Sequence, residues 1–413
     1  MVCAGAGLGG AGTRADPRPG TTTAVTTTPH NTTRTSDPEP DTSGDPDLPG
    51  NPLVTGGSHP DTLGAWETQH RPQLLEAFGE HVYGHPLPAP DDMTFDVTDL
   101  GATDDGAVGK KIVIEVTGPV GAARFTLRLF TPTAREVERE VHGTFLLIDH
   151  RGAVTDTGSD SDYAPIAQIT GAGHALAVLD AVEVAPDDLD RYRDGVISAF
   201  HPAGTELPDT AGRTIAAWAW AASRALDYLH TDDATRSGVD PARVAVIGHS
   251  RSGKAALWAG AQDPRFPVVI SNNSGAAGAK LADTGRGESI DALTSAFPHW
   301  FPPAYRTYAG RPDALPVDQH QLLALIAPGR LVVASATDDV TADPQGEHAA
   351  YRTAEPVWAL YGLPGTGLPD STWPPPTDRA YRGPGMSYHL RTGAHGLTTD
   401  DWRFYLHGDL FRW

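Results

Sequence analysis

The chain has 413 residues, 39% of them hydrophobic, and a formal net charge of -21 at pH 7. That is apolar material for one large α/β domain or two small ones. The acidity, with no basic patch to offset it, excludes nucleic acid as a partner. A single cysteine, Cys3, excludes an internal disulfide and a cysteine-based metal site. No apolar run reaches membrane-helix length.

Residues 1–50 are rich in Thr, Pro, Gly and Asp. Such a segment buries too little surface to offset its ordering entropy, so it is expected to be a disordered tail. Residues 1–15 lack a basic start followed by a long apolar core, which makes cytoplasmic location the default expectation; a misassigned start would allow export. The folded domain is expected over residues 51–413.

Residues 62–83 carry Trp66, Leu74, Leu75 and Phe78 at helical spacing. A polar connection with prolines at 86, 88 and 90 follows. Residues 111–117 and 123–130 alternate apolar and polar on either side of Gly118 and Gly121, which predicts an antiparallel hairpin. Strands then alternate with helices. Strands are expected at 144–149, 174–180, 244–247, 268–271, 331–336 and 386–391. Helices are expected at 214–230, 251–261, 318–326, 349–361 and 399–410. This alternation predicts a mainly parallel sheet covered on both faces.

The densest signal is Arg243-Val-Ala-Val-Ile-Gly-His-Ser-Arg-Ser-Gly-Lys254. It reads as a buried strand, a tight turn and a helix, with Ser250 at the apex. That is the geometry of a nucleophile elbow, where backbone N–H groups at the helix start can stabilise an oxyanion. The second glycine comes one residue late, after Ser252. The same letters nearly spell a phosphate loop, but Ala255 stands where a magnesium-binding Ser or Thr is needed.

An elbow serine needs a base and an acid. The order Ser, acid, His is available. Asp339, with Asp338 as second candidate, follows the 331–336 strand, where a carboxylate points toward the ligand crevice. The bland reading is that either one caps a turn. His395 follows the last strand on a Gly-flanked loop; His389 falls inside the strand pattern and is expected to be structural. His320 is expected to be buried and hydrogen-bonded. No His/Asp/Glu group has metal-ligand spacing, and no cofactor is implied.

Several further motifs occur in order: Ser271-Asn-Asn-Ser-Gly275, Phe297-Pro-His-Trp-Phe301, Leu315-Pro-Val-Asp-Gln-His320, Ala324-Leu-Ile-Ala-Pro328 and Ala334-Ser-Ala. With the Gly248-His-Ser-Arg-x-Gly-Lys254 elbow they resemble the bacterial branch of the glucuronoyl esterases, carbohydrate esterase family fifteen, over residues 51–413. The resemblance implies an α/β-hydrolase fold, a three-layer sandwich around a mostly parallel sheet. It implies a cofactor-free serine esterase acting on esters between the 4-O-methyl-glucuronic acid of glucuronoxylan and lignin alcohols; a monomer is expected.

By the same resemblance Ser250 is the nucleophile and His395 the base. Arg251 lends its side chain to the oxyanion. Lys254, Glu288 and Trp300 contact the substrate. Two positions depart from the family. Asn273 stands where fungal members place the triad glutamate, which returns that role to Asp339. Thr341 stands where a sugar-stacking tryptophan is common, and Trp373, in the Pro-rich insertion 368–377, is the candidate substitute. Acetylxylan deacetylation, or a non-catalytic carbohydrate-binding relative, are the alternative functions.

Overall fold

The structure is a computed structural model that describes residues 62–133, 141–159, 161–369, 373–407 and 410–411. The expected tail over 1–50 lies outside the described residues.

The 62–83 region is a continuous helical run: α-helical Leu63–Ala65 and Arg71–Phe78 alternate with π-helical Trp66–His70 and Gly79–Tyr83. Its Trp66, Leu74, Phe78 and Tyr83 are buried, as the spacing predicts. Among the described residues, ten strands then form one sheet. They are β1 (Asp92–Ala102), β2 (Val108–Thr117), β3 (Ala122–Thr131), β4 (Thr144–Asp149) and β5 (Ala175–Asp180), then β6 (Val244–His249), β7 (Val268–Asn272), β8 (Arg330–Ala336), β9 (Ala380–Arg382) and β10 (Met386–Arg391). The spatial order is β1-β2-β3-β5-β4-β6-β7-β8-β10-β9.

β5, β4, β6, β7, β8 and β10 are parallel. β1 to β3 add antiparallel strands at one edge and β9 caps the other. The β2–β3 hairpin falls where its alternation predicts. β1 carries no fully buried side chain. Its Met93, Phe95 and Val97 are only partly buried against the core, so an edge strand with a polar outer face reads in the sequence as a loop.

Two cores sandwich the sheet, because strand side chains alternate between its faces. Leu146 and Ile148 of β4 join the larger core. Phe145 and Leu147 join the smaller one. The larger core is closed by helices Thr214–Leu229, Arg251–Gln262 and Pro344–Leu360, through Trp218, Trp258 and Trp358. The smaller is closed by Ile166–Gly171 and Thr399–Leu406, through Ile169 and Trp402. This is the three-layer arrangement the alternation predicts. β4 lies between β5 and β6, so the chain reverses its direction of travel across the sheet there. Ligand crevices in such sheets form beyond the strand C-termini at that switch point, which is where β4 gives way to His150 and β6 to Ser250. No helix among the described residues is long and apolar enough to cross a membrane.

Candidate active site

Ser250 leaves β6 in a left-handed conformation, φ 57° and ψ -124°. For a residue with a Cβ that strain costs about 1–3 kcal/mol. The turn is over-determined. Ser250 N–H donates to Asn272 O at 2.9 Å, and Gly253 N–H donates to Ser250 O at 2.9 Å. Gly248 has to be glycine, since a Cβ there would lie 2.0 Å from Ser252 O. The late second glycine also has a physical reason. At position 252 the serine stitches the elbow together, its Oγ accepting His249 N–H at 3.0 Å and donating to His249 O at 2.9 Å. Gly253, one residue on, lies where a Cβ would sit 3.0 Å from Ser274 Cβ. Ser250 occupies the N-cap of helix Arg251–Gln262 without spending its side chain on the cap. Its hydroxyl is therefore left for chemistry beside a helix start rich in unpaired N–H groups.

His395 Nδ1 lies 2.6 Å from Asp339 Oδ2. The His395 ring packs 4.5 Å, centroid to centroid, from that of His249, the residue before Ser250. The structure thus brings the elbow, His395 and Asp339 together. With Nδ1 on the carboxylate, Nε2 is the atom left to take a proton. The His395 side chain is 41% exposed, so it can meet substrate.

Asp339 is buried and accepts Asn273 Nδ2–H at 3.0 Å and Ala342 N–H at 3.1 Å. Burial pushes its pKa up, but the hydrogen bond and positive charge of His395, with these N–H donors, outweigh that and hold it below the usual carboxylate range. Asp338 is exposed and accepts Thr337 Oγ1–H at 2.9 Å; it is the turn residue. His389 is structural as expected, its Nε2 lying 3.1 Å from Asp401 Oδ1. His249, wholly buried with Nδ1 2.7 Å from Asn272 Oδ1, is held neutral chiefly by burial.

The Arg251 side chain is clasped by the Asp187 carboxylate. Its guanidinium stands 4.6 Å from the Trp300 ring centroid and 5.2 Å from that of Phe297. Asp187 also takes Trp300 Nε1–H at 2.6 Å and lies 2.8 Å from His299 Nε2. Burial raises the Asp187 pKa, but its bonds to His299, Trp300 and Arg251 leave it well below the carboxylate range. Trp300, expected against substrate, is 3% exposed. Its indole N–H is spent on Asp187, and together Trp300 and Asp187 fix Arg251.

Lys254 is also buried, at 3% exposure. Its Nζ donates to Ser274 O at 2.6 Å and to Ala276 O, which leaves one of three donors uncommitted. Burial lowers its pKa to about 8, against the nearby charges of Glu288 and Glu347. Glu288 is half-buried. Its N–H donates to Thr341 O at 2.9 Å, which ties it to the turn after Asp339. Thr341 itself is exposed. Trp373 is half-buried against the His348 ring, centroids 5.1 Å apart, and the larger core. His320 is buried as expected, but its Nδ1 has no hydrogen-bond partner among the described residues, and burial lowers its pKa to about 4. Among the described residues no group of three or more His, Cys, Asp or Glu could hold a metal ion.

Three contributors escape sequence reasoning. Asp187 sits in Ala-Pro-Asp-Asp-Leu-Asp, where three acids look alike. Glu347 lies in the first turns of a helix whose apolar spacing becomes visible only from 349. Asn273 is visible as a missing carboxylate, but its role as a donor to Asp339 depends on a φ of 47° that aims it there.

A profile for the family "Glucuronyl esterase, fungi" matches residues 172–362. The chain is 30% identical over 388 residues to "Carbohydrate esterase MZ0003" of an unknown prokaryotic organism, covering 87% of this chain and 88% of that one. The solved glucuronoyl esterase from Solibacter usitatus superposes with a TM-score of 0.77 at 32% identity, over 89% of this chain and 99% of that one. The carbohydrate esterase family 15 glucuronoyl esterase from Teredinibacter turnerae gives 0.74 at 28% identity, over 87% and 88%. The architecture shared with these structures is the α/β-hydrolase fold.

Proposed function

The chain belongs to the glucuronoyl esterases, carbohydrate esterase family fifteen, and from that premise we propose that it is a serine esterase with Ser250, His395 and Asp339 as its triad. Its substrate is the ester joining the 4-O-methyl-glucuronic acid of glucuronoxylan to a lignin alcohol. The observation that carries the reading is the Asp339–His395 pair at 2.6 Å with its ring laid against the residue before the strained Ser250.

His395 Nε2 takes the Ser250 hydroxyl proton as Oγ attacks the ester carbonyl carbon. The carbonyl π electrons move to oxygen, and the oxyanion is met by the Arg251 N–H at the helix start and by the Arg251 guanidinium, held in place by Asp187 and Trp300. The intermediate collapses, the ester C–O bond breaks, and His395 returns the proton to the departing alcohol. Water repeats the sequence on the acyl-enzyme, releasing the uronic acid and restoring Ser250. Asp339 stays ionised and stabilises the imidazolium. Lys254, through its uncommitted N–H, and Glu288 bind the sugar hydroxyls.

Hydrolysis of benzyl glucuronate by the wild type and by Ser250→Ala tests this. The variant is expected to lose activity by about 10⁴-fold or more; equal activity would sink the nucleophile. Acetate released from acetylated xylan faster than uronate is released from its ester would overturn the specificity.

A further inference from the structure

One buried carboxyl near the site takes no part in the steps above. Glu347 has no exposed surface. It stands in the first turn of helix Pro344–Leu360. Its Oε2 accepts Ser335 Oγ–H of β8 at 2.6 Å, and its Oε1 accepts Gly275 N–H at 2.9 Å, with Ser274 Oγ at 3.5 Å. Ser274 and Ala276, on either side of Gly275, are the residues whose carbonyls hold the Lys254 ammonium. Asn273, which donates to Asp339, begins the same turn. One carboxylate therefore hangs a four-residue turn on β8, and that turn carries contacts to both the triad acid and the sugar-binding lysine.

The charges point the same way. A buried ammonium bonded only to carbonyls needs a counter-charge, since burial favours its neutral form. Lys254 is acted on by two acids, Glu288 and Glu347, and opposed by Arg251 and Lys280. Glu288 is half-buried, where water screens it; Glu347 is enclosed. Besides Lys254, Glu347 faces Asp339 beyond β8 and Tyr388 of β10. We propose that Glu347 is a positioning residue for substrate binding: it fixes the 273–276 turn and supplies, across that turn, the buried counter-charge to Lys254. This rests on the reading of Lys254 as a sugar ligand. Burial raises the Glu347 pKa to about 7, so the carboxyl is ionised on the alkaline side, where Lys254 would otherwise lose its proton.

Glu347→Gln removes the charge and keeps the shape. The amide oxygen can still take Gly275 N–H, and the Ser335 hydroxyl can turn to accept from the amide. With benzyl glucuronate, KM is expected to rise about tenfold, and the alkaline limb of kcat/KM to move about one unit lower. On a Lys254→Met background the same substitution is expected to add less than about twofold, because the group it acts through is gone. An unmoved limb, or an equal effect on both backgrounds, overturns the inference and leaves Glu347 a packing residue. The outcomes separate from those of the underlying reading: Lys254→Met with an unchanged KM sinks the sugar-ligand role, and an active Ser250→Ala sinks the esterase mechanism. Melting curves check that each variant folds. Should Glu347→Gln not fold, Glu347→Asp, which keeps the charge, is expected to keep the wild-type limb; a limb moved by that variant also overturns the proposal.

Discussion

Asp339 and Glu347 are two buried carboxyls in the segment that follows β8, and their environments drive them apart. Asp339 faces an imidazole that can carry a positive charge, and its pKa falls. Glu347 receives neutral donors from Ser335, Gly275 and Ser274, stands wholly enclosed beside Asp339, and burial raises its pKa to about 7. Burial opposes ionisation at both; what differs is whether a cation is in direct contact. The contrast assigns work. An acid held ionised can stabilise the imidazolium during acyl transfer. One that ionises only near neutrality can tune a neighbour's charge.

The largest expected effect breaks the comparison at the proposed triad. Asp339→Asn leaves a hydrogen bond but no charge behind His395, and kcat is expected to fall about 10³- to 10⁴-fold. Asp338→Asn, on the exposed turn, is expected to change kcat less than about twofold. A large loss at Asp338, or a small one at Asp339, would reverse the assignment. Single-turnover kinetics on benzyl glucuronate read both.

Next in size is the other flank. Asp187→Asn keeps an acceptor for Trp300 but loses the ion pair that holds Arg251. With the proposed role of Arg251 toward charge that develops in the transition state, kcat is expected to fall about tenfold or more with KM little changed. A rise confined to KM would place Arg251 on the ground-state substrate instead. Asn273→Ala removes one donor from Asp339 and spares the rest. Its loss is expected to be about three- to tenfold in kcat, in keeping with one hydrogen bond to a charged group; a loss as deep as that of Asp339→Asn would make the amide an equal partner in orienting the acid.

The legible and illegible parts of this molecule divide by contact range. The parallel strands, the elbow and the order Ser250, Asp339, His395 depend on local patterns: apolar runs, a turn, a loop after a strand. β1 stayed hidden because an edge strand buries no side chain fully. Trp300 was visible as a motif but not as a buried one; its partner Asp187 lies 113 residues away and joins it only through the fold. Glu347 meets Gly275 across 72 residues, and nothing in its helical surroundings marks it as different from a solvated glutamate. Asn273 read as a missing acid because composition gives residue type, while its donor role needs the backbone angle that points it at Asp339.

The smallest effect is on stability, and its sign distinguishes the two acids. A carboxyl raised from 4.5 to about 7 keeps its proton in the folded state where the unfolded chain has lost it. The folded protein then binds more protons than the unfolded one between those values, so stability falls as pH rises through that window and levels off above it. The slope is of order 1 kcal/mol per pH unit, or about 2 °C per unit in melting temperature for a domain of this size. Glu347→Gln removes that contribution, so the variant is expected to gain on the wild type between pH 5 and 7. Asp339 acts oppositely: with its pKa depressed, its contribution is complete above the unfolded value and is lost only as pH falls below it, so its own titration adds no slope from pH 5 to 7. Melting curves for the wild type and Glu347→Gln at pH 5, 6 and 7 test the sign. A wild-type slope that survives Glu347→Gln would mean that another group binds the proton, and would remove the contrast between the two acids.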